Sequence, residues 1–165
     1  MDSDRETRGK VPIVMDVRDF AQLPAAGEVL AVLARIATAI ALGALLGEER
    51  QRAGKAAGLR THMLVALGSA LFVLFPLEAG MPPTDISRVI QGVATGIGFI
   101  GAGTVLKRTN PEEVHGLTTA ASIWLTAAIG LASCAGPLWL PVACGVCAWI
   151  ILSVLARFEK VADKA

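Results

Sequence analysis

One stretch, residues 86–106, constrains the fold of this chain more than any other. It reads ISRVIQGVATGIGFIGAGTVL and combines an apolar composition with five glycines. A helix in water would lose about 1 kcal/mol for each glycine relative to alanine. In a bilayer the argument reverses. The backbone groups of a spanning segment must hydrogen-bond within that segment, so the helix forms despite its glycines, and small residues let neighbouring helices approach closely. We therefore predict a membrane-spanning helix that packs through these glycines. They are Gly92, Gly96, Gly98, Gly101 and Gly103.

The apolar content of the whole chain supports the same interpretation. Of its 165 residues, 54% are hydrophobic, which exceeds the usual share in a soluble domain. Five runs have about the 17–25 residues that a helix needs to cross a hydrocarbon core. They are residues 28–47, 63–79, 86–106, 117–135 and 138–156. We predict an all-α fold, a polytopic membrane bundle of about five transmembrane helices.

The ends of the chain are polar. Residues 1–27 would form an amino-terminal tail, either loosely ordered or containing a short interfacial helix. Residues 28–156 would be the transmembrane domain, and residues 157–165 a short carboxyl-terminal tail.

Positive charge is concentrated on one side of the predicted bundle. The loops after the first and third spans and the carboxyl-terminal tail carry nine basic residues: Arg50, Arg52, Lys55, Arg60, Lys107, Arg108, Arg157, Lys160 and Lys164. The other side has only Arg88 near the membrane. The positive-inside rule then places the basic loops and the carboxyl terminus in the cytoplasm and the amino terminus outside. The basic loops would also contact anionic lipid head groups.

Arg35 is the only charged residue within the interior of the first span. An arginine there costs several kcal/mol unless it pairs or reaches the interface. We predict a contact with Asp85 or with Glu28, which lies seven residues earlier on the same face. The alternative is that the side chain extends outward to the membrane surface.

A charged cluster, Glu48, Glu49 and Arg50, closes the first span. Carboxylates at a helix carboxyl end oppose the helix dipole and need a compensating cation. Arg60 across the loop could supply it through a structural ion pair. A bound Mg²⁺ held by Glu48 and Glu49 is the alternative, since magnesium usually takes one or two carboxylates plus waters.

Polar residues also enter the third span. Asp85, Arg88 and Gln91 follow one another at helical spacing. They could line a polar vestibule, or Asp85 could cap the helix while Arg88 reaches a lipid phosphate.

The start of the fourth span is rich in hydroxyl groups. Thr118, Thr119 and Ser122 could cap this helix or bond to a neighbouring one. His62 and His115 fall at the ends of different spans, which is weak evidence for a metal site.

Several function classes are not supported. The segment 96–101 matches GxGxxG, but it lies within an apolar run without the strand and acidic residue of a nucleotide site. Tyrosine is absent and aromatic residues make up 5%, so a stacking surface for nucleic acid is not expected. The sequence shows no nucleophile–base pair, which argues against an enzyme.

Four blocks of sequence resemble the MgtC/SapB family of bacterial inner-membrane proteins. They are GEERQ at 47–51, AGLRTH at 57–62, TGIGFIGAG at 95–103 and GLTTAASIW at 116–124. The resemblance covers about residues 30–156. Glu49 and Arg50 match the family's acidic–basic pair, and Arg88 and Gln91 match its polar positions before the glycine-rich helix.

The resemblance implies a plasma-membrane protein tied to growth in low magnesium. Some members are tied to survival of pathogens inside macrophages, and some modulate other membrane machinery, including the proton-driven ATP synthase. Many members carry a soluble carboxyl-terminal domain. This chain ends about nine residues beyond its last predicted span, so we expect a short form without that domain.

We therefore expect a membrane-embedded regulator of another membrane protein, with no cofactor other than a possible Mg²⁺. The alternative is a transporter or channel for Mg²⁺ or another cation, in which the glycine-rich helix forms a flexible central element. A purely structural lipid-binding scaffold is a third class. The Gly92 and Gly96 face suits helix pairing, within the bundle or between copies in a homo-oligomer.

Overall fold

The computed structural model describes residues 24–107 and 114–155. Nearly all of the predicted amino-terminal tail and the whole carboxyl-terminal tail lie outside these residues. The described part contains five α-helices: α1 (Ala26–Arg52), α2 (Leu59–Glu78), α3 (Pro83–Thr104), α4 (Leu117–Ala135) and α5 (Trp139–Ile150). A π-helical turn, Ile151–Leu155, continues α5. A two-stranded antiparallel ribbon, β1 (Leu106–Lys107) and β2 (Val114–His115), follows α3.

The prediction of an all-α membrane bundle is confirmed. Helices α1, α2 and α4 are each long and apolar enough to cross a membrane, and α5 with its π-helical turn forms a shorter apolar helix. Helix α3 is long enough at 22 residues but is not among the strongly apolar helices.

Local sequence sets where the helices begin and end. Pro83 begins α3, where its missing N–H group costs no hydrogen bond. Gly116, with φ of +93°, forms the turn between β2 and α4, a backbone conformation that favours glycine. Arg52 bonds Glu48 one turn earlier at 2.7 Å, and this pair extends α1 beyond its apolar run.

The helices alternate in direction, so their loops gather at two ends. Lys55 from the α1–α2 loop and Thr118 at the start of α4 line the same small pocket. We call this end the basic end, because Arg50, Arg52, Lys55 and Arg60 lie there. The α2–α3 and α4–α5 connections lie at the opposite end.

Helix α4 lies at the centre of the bundle. It contributes Leu131 and Cys134 to a core with α1 and α2, and Ile129 to a core with α1 and α5. Its Ile123 and Ala127 pack with Ile97 of α3 in a third cluster. The other helices are therefore arranged around α4.

Glycines do bring helices together, but mainly not the ones predicted. Of the five glycines of α3, Gly101 alone packs against another described helix, where an added Cβ would lie 3.6 Å from the Ala120 Cβ. No described residue comes within 4 Å of a Cβ added at the other four: Gly92, Gly96, Gly98 and Gly103. Within the bundle, the predicted packing through these four glycines is wrong. The spacing of the glycines identifies a helix face lined by small residues, but it does not show which neighbouring helix packs against that face.

The close approaches occur on α1 and α4 instead. A Cβ at Gly43 would lie 2.8 Å from the His62 carbonyl oxygen, and one at Gly47 would lie 2.8 Å from the Leu59 Cα. A Cβ at Gly130 would collide with the backbone of Ala66. Helix α2 is thus held against α1 and α4 at backbone contact.

Candidate functional site

Arg35 of α1 binds the end of α4. Its Nη1 donates to the carbonyl oxygens of Ser133 and Cys134, both at 3.2 Å, and of Gly136 at 2.9 Å. The last carbonyls of a helix have no partner within it, and they form the negative end of its dipole. A guanidinium group satisfies both needs, so Arg35 closes the carboxyl end of α4.

This geometry corrects the predicted partners of Arg35. The Glu28 carboxylate accepts from the Ala25 N–H at 3.2 Å, and Asp85 lies in the first turn of α3. The Arg35 side chain is half-buried and turned towards α4 rather than extended to the membrane surface. The prediction considered only acidic side chains, whereas the actual partners are backbone carbonyls.

A second arginine of α1 plays a matching role at the basic end. Arg50 is 3% exposed, and its Nη2 donates to the carbonyl oxygen of Leu152 at 3.2 Å. Its Nε donates to the Glu49 carboxylate in an ion pair. Arg50 therefore joins α1 to the π-helical turn after α5.

The predicted pairing of the carboxylates with Arg60 is wrong. Glu49 pairs with Arg50, and Glu48 pairs with Arg52 at the solvent-exposed surface. The Arg60 side chain is exposed on the first turn of α2, and no ion pair to it is found among the described residues.

Binding of Mg²⁺ by Glu48 and Glu49 stays a prediction. Each faces an arginine, and the described residues hold no group of three or more His, Cys, Asp or Glu side chains able to bind a metal ion.

His62 is the polar residue whose role the sequence did not indicate. It is fully buried, with Nδ1 2.9 Å from the Gly58 carbonyl oxygen and Nε2 3.1 Å from the Ser122 Oγ. A carbonyl only accepts, so Nδ1 carries a hydrogen. Ser122 in turn lies 2.8 Å from the carbonyl of Thr119. His62 thus connects α2 with the amino-terminal turns of α4.

A signal for this contact was present in α1. A Cβ at Gly47 would lie 2.9 Å from the His62 Cβ, so glycine at 47 lets α1 approach α2 closely at His62. Gly43 and Gly47 have the same four-residue spacing as Gly92 and Gly96. Gly43 and Gly47 come shortly before the AGLRTH block that contains His62, so their spacing could have indicated a close contact between α1 and the next helix.

The remaining predicted residues lie apart from these contacts. Asp85 does not cap α3 through its side chain, since the N-cap residue is Pro82 and no side-chain cap is present. Arg88 and Gln91 are exposed on α3.

The two threonines predicted at the start of α4, Thr118 and Thr119, differ in exposure. Thr119 is buried and Thr118 is exposed, and both line a pocket of about 200 Å³ with Lys55 and Thr104. Gly116 precedes α4 without a side-chain cap, so neither threonine caps this helix.

We expect His62 and Ser122 to be energetically coupled. His62→Ala and Ser122→Ala each remove a partner from a buried hydrogen bond, and an unsatisfied buried group costs about 1–3 kcal/mol. The second substitution should then cost about 1 kcal/mol less in the background of the first. Equilibrium unfolding in mixed detergent micelles measures this cycle. Thr118→Ala, at an exposed position, is the control and should be near neutral. Strictly additive losses would contradict the coupling.

Comparison with known proteins gives a consistent set of relatives. The MgtC family model matches residues 36–161. Protein SrpB of Synechococcus elongatus is 47% identical over 115 residues, 63% of this chain and 63% of that protein. The putative magnesium transporter YhiD of Escherichia coli is 44% identical over 130 residues, 74% of this chain and 59% of the relative. Protein MgtC of Salmonella typhimurium is 43% identical over 93 residues, 56% of this chain and 38% of the relative.

The chain thus spans less than two thirds of the length of these relatives. No solved structure matches it. The matched region contains Glu49, Arg50, His62 and Ser122, and it begins one residue after Arg35.

Proposed function

Because this chain belongs to the MgtC family, we propose that it is an inner-membrane protein of magnesium homeostasis that regulates another membrane protein. It acts without catalysis of its own. The basic end faces the cytoplasm, as the positive-inside rule requires, and the amino terminus is periplasmic.

One observation carries this proposal: the polar groups inside the bundle hold helices together. Arg35 binds the end of α4, Arg50 binds the Leu152 carbonyl, and His62 binds Ser122. Every buried side-chain nitrogen or oxygen of the described residues has a hydrogen-bond partner. These groups are committed to fixed contacts, which suits a scaffold that presents a constant surface to a partner.

The space between the two arginines supports the same interpretation. Arg35 and Arg50 are 15 positions apart, or about 22 Å along α1. Buried apolar residues of α1 fill this interval, and they are Ala39, Leu42 and Leu46. The charges at the two ends are thus separated by a packed apolar layer.

The basic end offers polar groups to a partner. Glu48, Arg52, Lys55 and Arg60 are exposed there, next to the pocket that Thr118 lines. Such a surface suits the polar rim of a protein contact as well as anionic lipid head groups. The family resemblance favours the proton-driven ATP synthase as the partner.

Crosslinking tests the partner. A photoreactive amino acid at Arg60 should capture a specific membrane protein in cells grown in low magnesium. The same probe at Thr84, exposed at the opposite end, is the matched control and should not capture it. Capture of lipid alone at Arg60 would contradict the proposal and favour the lipid-binding scaffold.

Cation transport is the second candidate function. It is favoured by the 44% identity to a relative described as a putative magnesium transporter. In this alternative, Glu49 at the basic end and Asp85 at the other would bind the ion as it enters and leaves the bundle.

We expect purified protein in liposomes to give no Mg²⁺ influx above that of empty liposomes, because the interior charges are held in helix–helix contacts. A Mg²⁺-sensitive dye inside the vesicles measures this influx. Robust uptake that disappears with Glu49→Gln or Asp85→Asn, and persists with Thr84→Val, would establish transport and overturn the regulatory proposal.

A further inference from the structure

Helix α3 presents its polar side to the outside of the bundle. Arg88, Gln91 and Thr95 are all exposed, and their spacing places them on one face of the helix. Gly92 and Gly96 lie beside them on the same face. The opposite face packs inward through the buried residues Ile97 and Gly101. This arrangement is the reverse of what a helix surrounded by lipid requires.

Among these residues, Gln91 is the least compatible with a lipid-facing position. It lies eight residues after Pro83, or about 12 Å along the helix, and in a helix that starts at the membrane surface this depth falls within the hydrocarbon region. No hydrogen bond of its side chain is found among the described residues; the Thr95 hydroxyl donates to its backbone carbonyl at 2.9 Å. An unpaired amide in lipid costs several kcal/mol. Another protein surface must therefore cover it.

We propose that α3 is the interface of a homodimer, in which two parallel copies of this chain meet around a two-fold axis along the bilayer normal. Copies inserted in the same orientation place Gln91 at the same depth. A carboxamide is both donor and acceptor, so two Gln91 side chains related by the axis satisfy one another. Hydrogen bonds of this kind join membrane helices.

The charges at the start of α3 fit the same symmetry. Asp85 and Arg88 lie three residues apart and share one flank of the helix. In a parallel pair, Asp85 of each copy faces Arg88 of the second copy. A two-fold axis thus yields two reciprocal ion pairs at the mouth of the interface.

The apolar surface beside this face is also self-complementary. Between α2 and α3 lies a groove of about 840 Å³ whose lining includes Phe72, Gly92 and Gly96. Phe99 projects from its rim and is 85% exposed. In the dimer, Phe99 of each copy lies in the groove of the other, where the glycines leave space for the ring. Formation of this dimer follows from the α3 surface alone, whether or not the protein regulates another membrane protein.

Energy transfer between donor- and acceptor-labelled copies of the full chain in liposomes tests the dimer at increasing protein density. Wild type should dimerise. Gln91→Leu should raise the dissociation constant about ten-fold, as expected for loss of an interhelical amide pair. Gly92→Ile should abolish transfer, although an added Cβ there meets no described residue and the single chain should still fold.

Two further variants separate this interface from others. Ala143→Ile adds the same bulk to an exposed position of α5 and should leave the dissociation constant unchanged. Asp85→Arg should weaken the dimer, and combining it with Arg88→Asp should restore it. A chain that stays monomeric at every density overturns the proposal, as does a dimer insensitive to Gln91→Leu and Gly92→Ile.

Discussion

Replacing Arg35 with methionine should lower the free energy of unfolding by about 3 kcal/mol. The substitution removes a charged donor that bonds three carbonyl oxygens at the end of α4. Hydrogen bonds to charged groups contribute about 1.5–3 kcal/mol, and two of the three carbonyls left without this donor belong to the buried residues Ser133 and Cys134. Equilibrium unfolding in mixed detergent micelles measures the loss. Arg35→Lys keeps the charge but not the planar fork of donors, so it should recover only part of the stability.

The predicted acidic partners provide the control for this experiment. Asp85→Ala should act independently of Arg35→Met, so that the double variant loses the sum of the two single losses. The loss of unfolding free energy from Glu28→Gln should likewise add to that of Arg35→Met, since the Glu28 carboxylate accepts from the Ala25 N–H and not from Arg35. A markedly smaller loss in the Arg35 and Asp85 double variant would show that the two residues interact, contrary to the observed geometry.

Replacing Gly130 with leucine should prevent the bundle from assembling. Even the first carbon of a side chain at this position would lie 3.0 Å from the Ala66 Cα and 3.1 Å from its carbonyl carbon. Those atoms belong to the backbone of α2 and cannot move aside as a flexible side chain would. Overpacking costs about 1–3 kcal/mol for small insertions, and leucine adds three further carbons. Gly130→Ala should therefore be clearly destabilised, and Gly130→Leu should yield no folded protein.

Gly98→Ala is the matched control for this prediction. An added Cβ at Gly98 meets no described residue within 4 Å, and alanine is the better helix former. Its unfolding free energy should stay within about 1 kcal/mol of wild type. Equal losses at Gly98 and Gly130 would mean that any glycine substitution is harmful, irrespective of the space around it.

Apolar run length predicted the helices well, because hydrocarbon thickness fixes how many apolar residues a span needs. The fourth span was predicted at 117–135, which is where α4 lies. The first span was predicted to end at residue 47, whereas α1 continues to Arg52. Beyond the apolar run, the exposed pair between Glu48 and Arg52 and the buried contact of Arg50 with the π-helical turn both support the helix. Such pairs depend on opposite charges four residues apart, which a hydropathy pattern does not detect.

Tertiary partners could not be predicted in the same way. Arg35 and Arg50 both bind backbone carbonyls, and every residue has a carbonyl, so the sequence does not mark which one is unpaired. Likewise Gly92 and Gly47 each belong to a pair of glycines four residues apart, yet only Gly47 contacts a neighbouring helix in the chain. The choice depends on which helices become neighbours.

The contacts of Arg35 and Arg50 in α1 also set the order in which the molecule can be completed during synthesis. Gly136 lies 101 positions after Arg35, and Leu152 lies 102 positions after Arg50. Helix α1 therefore obtains its Gly136 bond only after α4 has been translated, and its Leu152 bond only after α5 has followed. Until then Arg35 enters the lipid without its carbonyl partners, while Arg50 keeps its ion pair with Glu49, and a nascent chain stopped before α5 lacks the bond that joins α1 to the π-helical turn.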